Sequence, residues 1–484
     1  MSAYRLTIKQ LENLLNKREI SASEIVDSFL TRINQIDDKV KAFVTVTDEV
    51  ARNQAKQVEK SPSPSMLKGI PYSLKDNICT DGIKTTCSSK MLENFTPNYD
   101  ATVASQLKTA GGILLGKLNL DEFALGTSTE QSAFFPTCNP WDLSRVPGGS
   151  SGGAAAAVAA DETPFALATD TGGSIRQPAS YCGVVGLKPS YGRVSRLGVM
   201  AVASSFDQVG IISKNVEDSA IVLGRIAGKD YQDSTSLDAP VPDYTTFLIT
   251  DIKGMKIAYP KEFFAESFDK EVKATVIKAL HKYEELGAIV EEVSIPNVEY
   301  ALPIYHVLAA AEFSTNLARL DGIRYGFNDK SADNLTDMYL KNRGLSLGAE
   351  VKRRTLFGSF VLSADNYEKY YLQALKIRNL IYQDMQKVLA NYDIIISPTT
   401  PNTAFKIGEQ AASLLDLYNN DILTVTASIA GLPAMSIPCG FVDNLPVGMQ
   451  IMGKSLDEGQ LIKAAYAFEQ HTSYHQEKPD LGVN

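Results

Sequence analysis

Helical periodicity dominates the first sixty residues of the chain. Apolar side chains recur every three or four positions over residues 7–18, 22–37 and 47–60, which predicts three helices. Ser21 stands just before the second of these segments, and Glu24 follows it with the spacing of a capping box. The stretch "SPSPS" ends the third helix, so the chain begins with a helical segment.

A different pattern follows this segment. Short apolar runs typical of strands ("GIPYSLKD", "ILLGKL", "FALATDT" and "GVVGLKPS") alternate with helical runs, namely "ATVASQLKTAG" and the alanine-rich stretch after Gly153. This alternation indicates a sheet that carries helices on its faces, and it therefore predicts the α/β class.

The second half of the chain is mostly helical between residues 264 and 392, with "NYEKYYLQALKIRNLIYQDMQKVLANY" as its strongest helical run. Strand-like runs return with "DIIISPT", "AMSIPCG" and "MQIMGK", and a last helix is predicted at about 457–471. We therefore expect the late strands to rejoin the early sheet. Residues 66–484 would form one domain with 264–392 as a helical insertion, and residues 1–65 would pack against it as helices.

The composition is that of an acidic globular chain. Its 484 residues are 44% hydrophobic and carry a formal net charge of −9. A free-standing nucleic-acid-binding protein usually presents a basic face, so we expect no dominant direct contact with RNA or DNA. The N-terminus "MSAYRLTIKQLENLL" lacks the apolar core of a signal peptide, and no run approaches the roughly 18–20 apolar residues that span a membrane. We expect a soluble, cytoplasmic protein that binds no membrane.

The cysteines argue against a cross-linked or metal-bound fold. They are scattered, odd in number and free of any C-x-x-C pair, so neither a disulfide framework nor a zinc site is predicted. The five positions are Cys79, Cys87, Cys138, Cys182 and Cys439. Reduced thiols in an intracellular protein are the simplest interpretation.

Two glycine–serine loops carry the candidate chemistry. The first, "PGGSSGG" at 147–153, lacks the lysine of a phosphate-binding loop. The second, "DTGGS" at 170–174, has no second D-[ST]-G in the chain to complete an aspartic-protease pair. A serine nucleophile remains, because Ser174 follows Gly172 and Gly173, whose unobstructed amides can stabilise an oxyanion.

Such a serine needs a base, and histidine is the usual one. The chain has four histidines, His281, His306, His471 and His475, and none lies in a glycine-rich loop. We therefore interpret them as structural or solvent-exposed. Lysine also serves as a base when burial holds it neutral. Lys75 is the candidate, because it ends the apolar run of "GIPYSLKD".

The three pieces together resemble the amidase signature family. "KDN" at Lys75, "GGSSGG" at 148–153 and "DTGGSIRQPA" at 170–179 match the family's motifs in order and separation. The resemblance implies a mixed central β-sheet covered by helices on both faces. It also implies a Ser-cisSer-Lys triad: Ser174 attacks a carboxamide, Ser150 sits on a cis peptide bond and relays the proton, and Lys75 receives it.

The resemblance assigns further roles around the nucleophile. The amides of Thr171, Gly172, Gly173 and Ser174 would supply the oxyanion hole, and Ser151 would be a supporting hydrogen-bonding residue. In this family the hydrolysis itself needs no metal ion and no organic cofactor, so none is expected in this chain.

Within the family, the chain most resembles the glutaminase subunits of tRNA-dependent amidotransferases. The similar stretches extend along essentially the whole chain: "LDEFALGTSTE", "NLARLDGIRYG", "GAEVKRRTLFGSFVLS", "AGLPAMSIPCG" and "LPVGMQIMGK". The resemblance implies glutamine as substrate. Arg354 would pair with its α-carboxylate, Asp421 would bind its α-ammonium group, and Tyr305 would line the pocket.

The same resemblance implies two partners, called B and C in such heterotrimers. Ammonia would pass to B, the transferase partner, which uses ATP and Mg²⁺ to amidate Glu-tRNA(Gln), Asp-tRNA(Asn) or both. The small partner, C, would join the other two chains. Misacylated tRNA would be handled mainly by the transferase partner, in keeping with the acidic balance of this chain.

Other interpretations stay open: a stand-alone amidase of the same family, a non-catalytic scaffold subunit and a nucleotide-binding module.

Overall fold

The computed structural model describes residues 2–60, 65–409 and 414–482, and its strands form one large sheet. The strands are β1 (Phe43–Val46), β2 (Pro71–Lys75), β3 (Ile113–Leu118), β4 (Phe165–Asp170), β5 (Val185–Lys188), β6 (Gln208–Ser213), β7 (Lys256–Pro260), β8 (Ile289–Val293), β9 (Ile394–Pro398), β10 (Ala434–Val442) and β11 (Leu445–Gly453). Their order across the sheet is β1-β3-β2-β4-β6-β5-β10-β11-β9-β7-β8.

Parallel and antiparallel pairs share this sheet. Strand β2 runs parallel to β3 and β4, and β7 runs parallel to β8 and β9. The remaining neighbours are antiparallel. Strands β2, β3, β4, β6 and β9 are buried at every position, as expected of strands that are covered on both faces. The predicted α/β class with a mixed sheet is confirmed.

Helices surround the sheet. They are α1 (Ile8–Asn16), α2 (Ala22–Val40), α3 (Asp48–Glu59), α4 (Thr102–Thr109), α5 (Gly152–Ala159), α6 (Arg176–Cys182), α7 (Val216–Ile226), α8 (Lys270–Glu285), α9 (Ala301–Leu317), α10 (Leu335–Ser346), α11 (Ala349–Val361), α12 (Ala364–Asn366), α13 (Leu372–Leu389), α14 (Leu414–Asn419), α15 (Val425–Ile429) and α16 (Glu458–Gln470). A π-helical turn, Tyr367–Tyr371, joins α12 to α13. Among the described residues, none of these helices combines the length and the apolar character needed to cross a membrane.

The N-terminal segment is helical where the sequence predicts it, with one addition. The capping box of α2 is present: the Ser21 side chain accepts from the Glu24 amide at 3.2 Å, and the Glu24 carboxylate accepts from the Ser21 amide at 2.8 Å. Within residues 1–65, however, Phe43–Val46 forms β1 and pairs with β3. The sequence pattern predicts the helices of this segment but not the short strand β1, which lies at the edge of the sheet.

The late strands rejoin the early sheet as predicted, since β10 pairs with β5. The region 264–392 is mainly helical but also contains β8, which forms the outer edge of the sheet beside β7. Every residue of β8 is exposed or only partly buried, so its sequence lacks the apolar run that marks a covered strand. The region thus takes part in the sheet rather than standing wholly apart from it.

The topology brings Lys75 and the "DTGGS" loop to one edge of the sheet. Because β2, β3 and β4 are parallel neighbours, their carboxyl ends meet at that edge. Lys75 is the last residue of β2 and pairs with Leu118, the last residue of β3. Asp170, the last residue of β4, opens the "DTGGS" loop. Lys75 and the loop that carries Ser174, which are distant in sequence, therefore lie at the same edge of the sheet.

Candidate active site

Lys75 is buried at the carboxyl end of β2 and contacts two serines. Its Nζ donates to Ser150 Oγ at 2.7 Å and to Ser151 Oγ at 2.8 Å. Burial lowers the pKa of Lys75 to about 7, although neighbouring carboxylates, with Asp121 first among them, oppose the change. A large fraction of this lysine is therefore uncharged at neutral pH, as a general base requires.

The loop at 147–153 is shaped by close backbone approach. The peptide bond between Gly149 and Ser150 is cis. A side chain at Gly149 would collide with the Asp121 carboxylate, and one at Gly153 would lie 2.5 Å from the carbonyl oxygen of Asn119. The Gly149 amide donates to Gln177 Oε1 at 2.7 Å. These contacts explain why glycines flank Ser150, since only they fit between neighbouring loops.

Ser174 lies on the turn between β4 and α6. The first bond of the helical ladder here runs from the Gln177 amide to the Gly173 carbonyl at 2.8 Å, so the amides of residues 171–174 precede that ladder. Gly173 has a φ of 148°, and a Cβ there would collide with Thr424. A Cβ on Gly172 would lie 2.5 Å from Tyr305 Cζ. Thr424 and Tyr305 therefore pack closely against Gly173 and Gly172, and only glycines fit at these two positions before Ser174.

A buried ion pair and a buried hydrogen bond hold this turn. Arg176 donates two hydrogen bonds to Asp170, from Nε to Oδ2 at 3.0 Å and from Nη2 to Oδ1 at 2.9 Å. Burial by itself would raise the pKa of Asp170, but the charge of Arg176 outweighs it and the pKa is lowered. Thr171 Oγ1 donates to Asp207 Oδ1 at 2.7 Å. Both ends of the turn are therefore fixed by carboxylates.

A small cavity opens above Ser174. Tyr305, Arg354 and Asp421 line it together with Ser174, so the structure brings together four residues that the sequence predicts for the site. The backbone joins this cavity to the lysine, because the Ser151 amide donates to the Ser174 carbonyl at 3.2 Å. The cavity thus carries one cationic and one acidic side chain beside the candidate nucleophile.

The acidic side chain in this cavity, Asp421, is shielded from water. Burial raises the pKa of Asp421 well above its usual range, and the Arg354 charge offsets part of this rise.

In the part of the chain that the structure describes, no group of three or more histidine, cysteine, aspartate or glutamate side chains is arranged to hold a metal ion. The five cysteines are all free thiols.

A family model described as "Amidase" matches residues 24–462. The chain belongs to the amidase signature family. Among curated relatives, the A subunit of glutamyl-tRNA(Gln) amidotransferase from Syntrophomonas wolfei is 58% identical over 482 residues, which are 100% of this chain and 99% of that protein.

Solved structures of similar proteins confirm the predicted amidase-signature fold. The crystal structure of the A subunit of glutamyl-tRNA(Gln) amidotransferase from Thermotoga maritima has a TM-score of 0.83 at 43% identity and covers 97% of this chain and 95% of its own. The native peptide amidase from Stenotrophomonas maltophilia has a TM-score of 0.83 at 28% identity and covers 99% of each chain. The family therefore includes neighbours whose names indicate different amide substrates.

The structure brings the residues of the predicted triad in this amidase close together. Lys75, Ser150 and Ser151 form one buried hydrogen-bonded group, and Ser174 stands on the adjoining loop. Ser174 is 8% exposed, at the floor of the cavity. The catalytic roles of these side chains stay predictions until substitutions test them.

Sequence reasoning missed a cluster around Arg354 in this amidase. The Arg354 guanidinium donates to Glu350 Oε1 at 2.7 Å and to His306 Nδ1 at 2.5 Å. Its Cζ lies 4.3 Å from the ring centroid of Tyr418. The four-residue spacing of Glu350 and Arg354 on α11 is a signal that predicts their pairing. His306 has no such signal, and only its adjacency to Tyr305 places it near the pocket.

Proposed function

We propose that this chain is the glutamine-hydrolysing subunit of a tRNA-dependent amidotransferase, and that its ammonia serves to convert Glu-tRNA(Gln) to Gln-tRNA(Gln) in the transferase partner. The observation that carries the proposal is the buried hydrogen bond between Lys75 and Ser150, beside a cavity that joins Ser174 to Arg354 and Asp421. Relatives matched over their full length and named as A subunits of glutamyl-tRNA(Gln) amidotransferase support this choice.

The reaction begins with attack of Ser174 Oγ on the side-chain carboxamide carbon of glutamine, which forms the C–O bond. The Ser174 proton passes to Ser150 Oγ while the Ser150 proton passes to the neutral amine of Lys75, so the lysine becomes charged. The negative charge collects on the former carbonyl oxygen, which the amides of residues 171–174 stabilise. One such donor typically contributes about 10²–10³ in rate.

The tetrahedral intermediate then loses its nitrogen. The proton on Lys75 returns through Ser150 to the leaving nitrogen as the C–N bond breaks, and ammonia departs from a glutamyl ester on Ser174. Water hydrolyses this ester: its proton passes to Lys75, the bond to Ser174 Oγ breaks, and the lysine returns a proton to that oxygen. Glutamate leaves, and the three side chains end in their starting states.

The pocket charges support glutamine as the substrate. Arg354 presents planar N–H donors suited to the α-carboxylate, and Asp421 offers a carboxylate to the α-ammonium group. An ammonium partner would favour the ionised form of Asp421, whose pKa burial raises in the empty pocket. A zwitterion offers a carboxylate to the remaining Arg354 donors and an ammonium group to Asp421 at once, whereas a neutral amide offers neither charge.

Partner chains account for the remaining half of the reaction. In this proposal the transferase partner takes the ammonia, binds misacylated tRNA and uses ATP with Mg²⁺, the small partner joins the complex, and this chain needs no cofactor of its own. Large apolar side chains are exposed on α10, on α13 and on α11, the helix that carries Arg354 to the cavity, and exposed apolar side chains mark protein interfaces when they cluster. We call them the outer apolar face: Leu340, Leu345, Leu356, Phe360 and Leu380.

The test measures ammonia release from glutamine by the purified chain, alone and with a candidate transferase partner and small partner, charged tRNA and ATP. We expect release to rise sharply on assembly and to vanish in the matched Ser174→Ala complex. Equal release with and without partners, above all from other amides, would favour a stand-alone amidase. Release that Ser174→Ala leaves unchanged would overturn the proposed nucleophile.

A further inference from the structure

We propose that His306 is a positioning residue: as a neutral acceptor it holds Arg354 in the orientation that receives the substrate's α-carboxylate. The inference rests on the proposed function, because it assigns a carboxylate to the cavity. It concerns a side chain that makes no chemical step itself and acts through Arg354.

The Arg354 side chain is fixed from three sides. On its own helix, Glu350 Oε1 accepts from Nε at 2.7 Å. From α9, His306 Nδ1 lies 2.5 Å from Nη1. From α14, the Tyr418 ring stacks against the guanidinium at 4.3 Å, and its hydroxyl donates to the same Glu350 oxygen at 2.8 Å. The cationic group therefore has little freedom to turn.

The tautomer of His306 follows from the chemistry of its partner. An arginine can only donate hydrogen bonds, so the nitrogen facing it must be the unprotonated acceptor. The proton of a neutral imidazole then lies on Nε2, which has no acceptor among the described residues. Burial, with the adjacent Arg354 charge, lowers the pKa of His306 well below its usual range and so favours this neutral form.

Aromatic packing keeps the imidazole in place. The His306 ring centroid lies 5.4 Å from that of Tyr305, which lines the cavity, and 4.5 Å from that of Tyr418. The ring thus sits between one residue of the pocket wall and the residue that stacks on Arg354. This placement connects Tyr305 on α9, which lines the cavity, to the Arg354 guanidinium on α11.

The arrangement leaves donors for a ligand. A guanidinium has five N–H donors in a rigid fork. Glu350 takes the one on Nε and His306 takes one on Nη1, which leaves donors on Nη1 and Nη2 for a carboxylate. Without the acceptor at His306, Arg354 can rotate about its side chain, and recognition of the carboxylate should weaken while the chemistry at Ser174 remains.

The test compares two amides in steady-state ammonia release by the full-length chain in its complex. One is glutamine, and the other is 4-aminobutanamide, which is glutamine without its α-carboxylate. We expect His306→Phe to raise the KM for glutamine roughly 10–100-fold, the effect of losing a hydrogen bond to a charged group, with kcat changed less than about 3-fold. For 4-aminobutanamide, kcat/KM should stay within about 2-fold of wild type.

Two variants sharpen the result. His306→Asn keeps an acceptor near the position of Nδ1, so it should restore most of the glutamine KM. His281→Asn changes an exposed ring on α8 that pairs with Glu284, and it should leave KM and kcat unchanged for both substrates. Thermal melting of each variant shows whether the fold is kept.

The outcomes separate this inference from the proposed function. The positioning role alone would be overturned if the wild-type complex hydrolyses glutamine and one of two results is found for His306→Phe. Either its KM for glutamine stays within about 2-fold of wild type, or it loses equal activity on both amides. A wild-type complex that hydrolyses other amides but not glutamine would overturn the proposed function and this inference with it.

Discussion

Lys75 Nζ lies between two consecutive hydroxyls, 2.7 Å from Ser150 Oγ and 2.8 Å from Ser151 Oγ. Both serines belong to the turn that enters α5, and the Ser151 amide also binds the Ser174 carbonyl at 3.2 Å. One backbone turn therefore connects the base, the candidate relay and the nucleophile's loop. Because the group is buried, its protonation state follows from the protein interior rather than from solvent.

This relationship predicts how activity depends on pH. The pKa of Lys75 is lowered to about 7, so the neutral base forms as pH rises through that value. We expect kcat/KM for glutamine to increase about 10-fold between pH 6 and pH 8 and then to level off. A lysine at its ordinary pKa would keep gaining activity beyond pH 10.

The measurement is a pH profile of ammonia release under kcat/KM conditions. Lys75→Met should lower activity at every pH, since no base replaces the amine, whereas Lys84→Met changes a lysine for which no catalytic role is inferred and should retain the profile. A wild-type rate that is flat from pH 6 to pH 8 would contradict the assignment of Lys75 as the base.

The Gly173 turn predicts a second result. Gly173 has a φ of 148°, and a Cβ there would collide with Thr424, so Gly173→Ala must distort the turn beside Ser174. We expect kcat for glutamine to fall by about 10²-fold or more, the size of effect seen when an oxyanion donor is displaced.

Gly224 offers a matched control for that change. It lies within α7, and a Cβ there would meet nothing within 4 Å. Gly224→Ala should therefore keep full activity and stabilise the helix by about 0.5–1 kcal/mol, read as a small rise in melting temperature. If Gly173→Ala retained wild-type kcat, its amide would not belong to the oxyanion hole.

Much of the fold could be predicted because its strands carry local signals. The runs that became β2, β3 and β4 are mostly apolar and buried at every position, and Lys75 is the last residue of β2. Strand β8 could not be found this way, because an edge strand faces water and has no apolar run. Local pattern thus identifies many of the covered strands, although it also missed β6, which is buried at every position in the middle of the sheet.

The residues of the candidate site also differ in whether a local sequence pattern predicts them. Motifs point to Lys75, Ser150 and Ser174, and the glycines beside the two serines are required by close contacts with neighbouring residues. His306 lies in an ordinary helix, and its contact with Arg354 joins positions on α9 and α11 that are distant in sequence. No local pattern encodes such a contact, so histidines that look unremarkable in sequence can still serve a site.

Asp421 predicts a proton exchange on binding. Burial raises the pKa of Asp421 well above its usual range and so favours the protonated carboxyl when no cation lies beside it. The α-ammonium group of glutamine should favour the carboxylate, and binding should therefore release a proton. We expect release of up to about one proton per glutamine bound, an effect that shrinks as pH rises towards the pKa of the empty site.

Calorimetry in buffers of different ionisation enthalpy measures this release, with Ser174→Ala protein used to prevent turnover. In the same background, Asp421→Asn should abolish the release and weaken binding of glutamine. The carboxamide is nearly the same size, so the pocket keeps its shape. Proton release that Asp421→Asn leaves intact would assign it to another group and contradict the ammonium-binding role.

The outer apolar face predicts where the chain meets its transferase partner. Leu356 is 71% exposed and Phe360 is 50% exposed, both on α11, the helix that carries Arg354 into the cavity. A partner that receives ammonia should cover surface close to the pocket, and exposed apolar side chains gain most from being covered. Leu356→Glu and Phe360→Glu should each weaken co-purification with the partner chains about 10-fold or more, because each buries a charge at the interface.

Ile249→Glu is the control, since Ile249 is also exposed but lies outside these helices. Melting temperatures of all three variants should stay close to that of wild type, because solvent-exposed positions contribute little to the folded core. The affinity of the purified chains for their partners, measured by titration, is the decisive quantity. Affinity unchanged by both α11 variants would place the interface elsewhere, whereas loss in those two but not in Ile249→Glu would locate it on the helix that also carries Arg354.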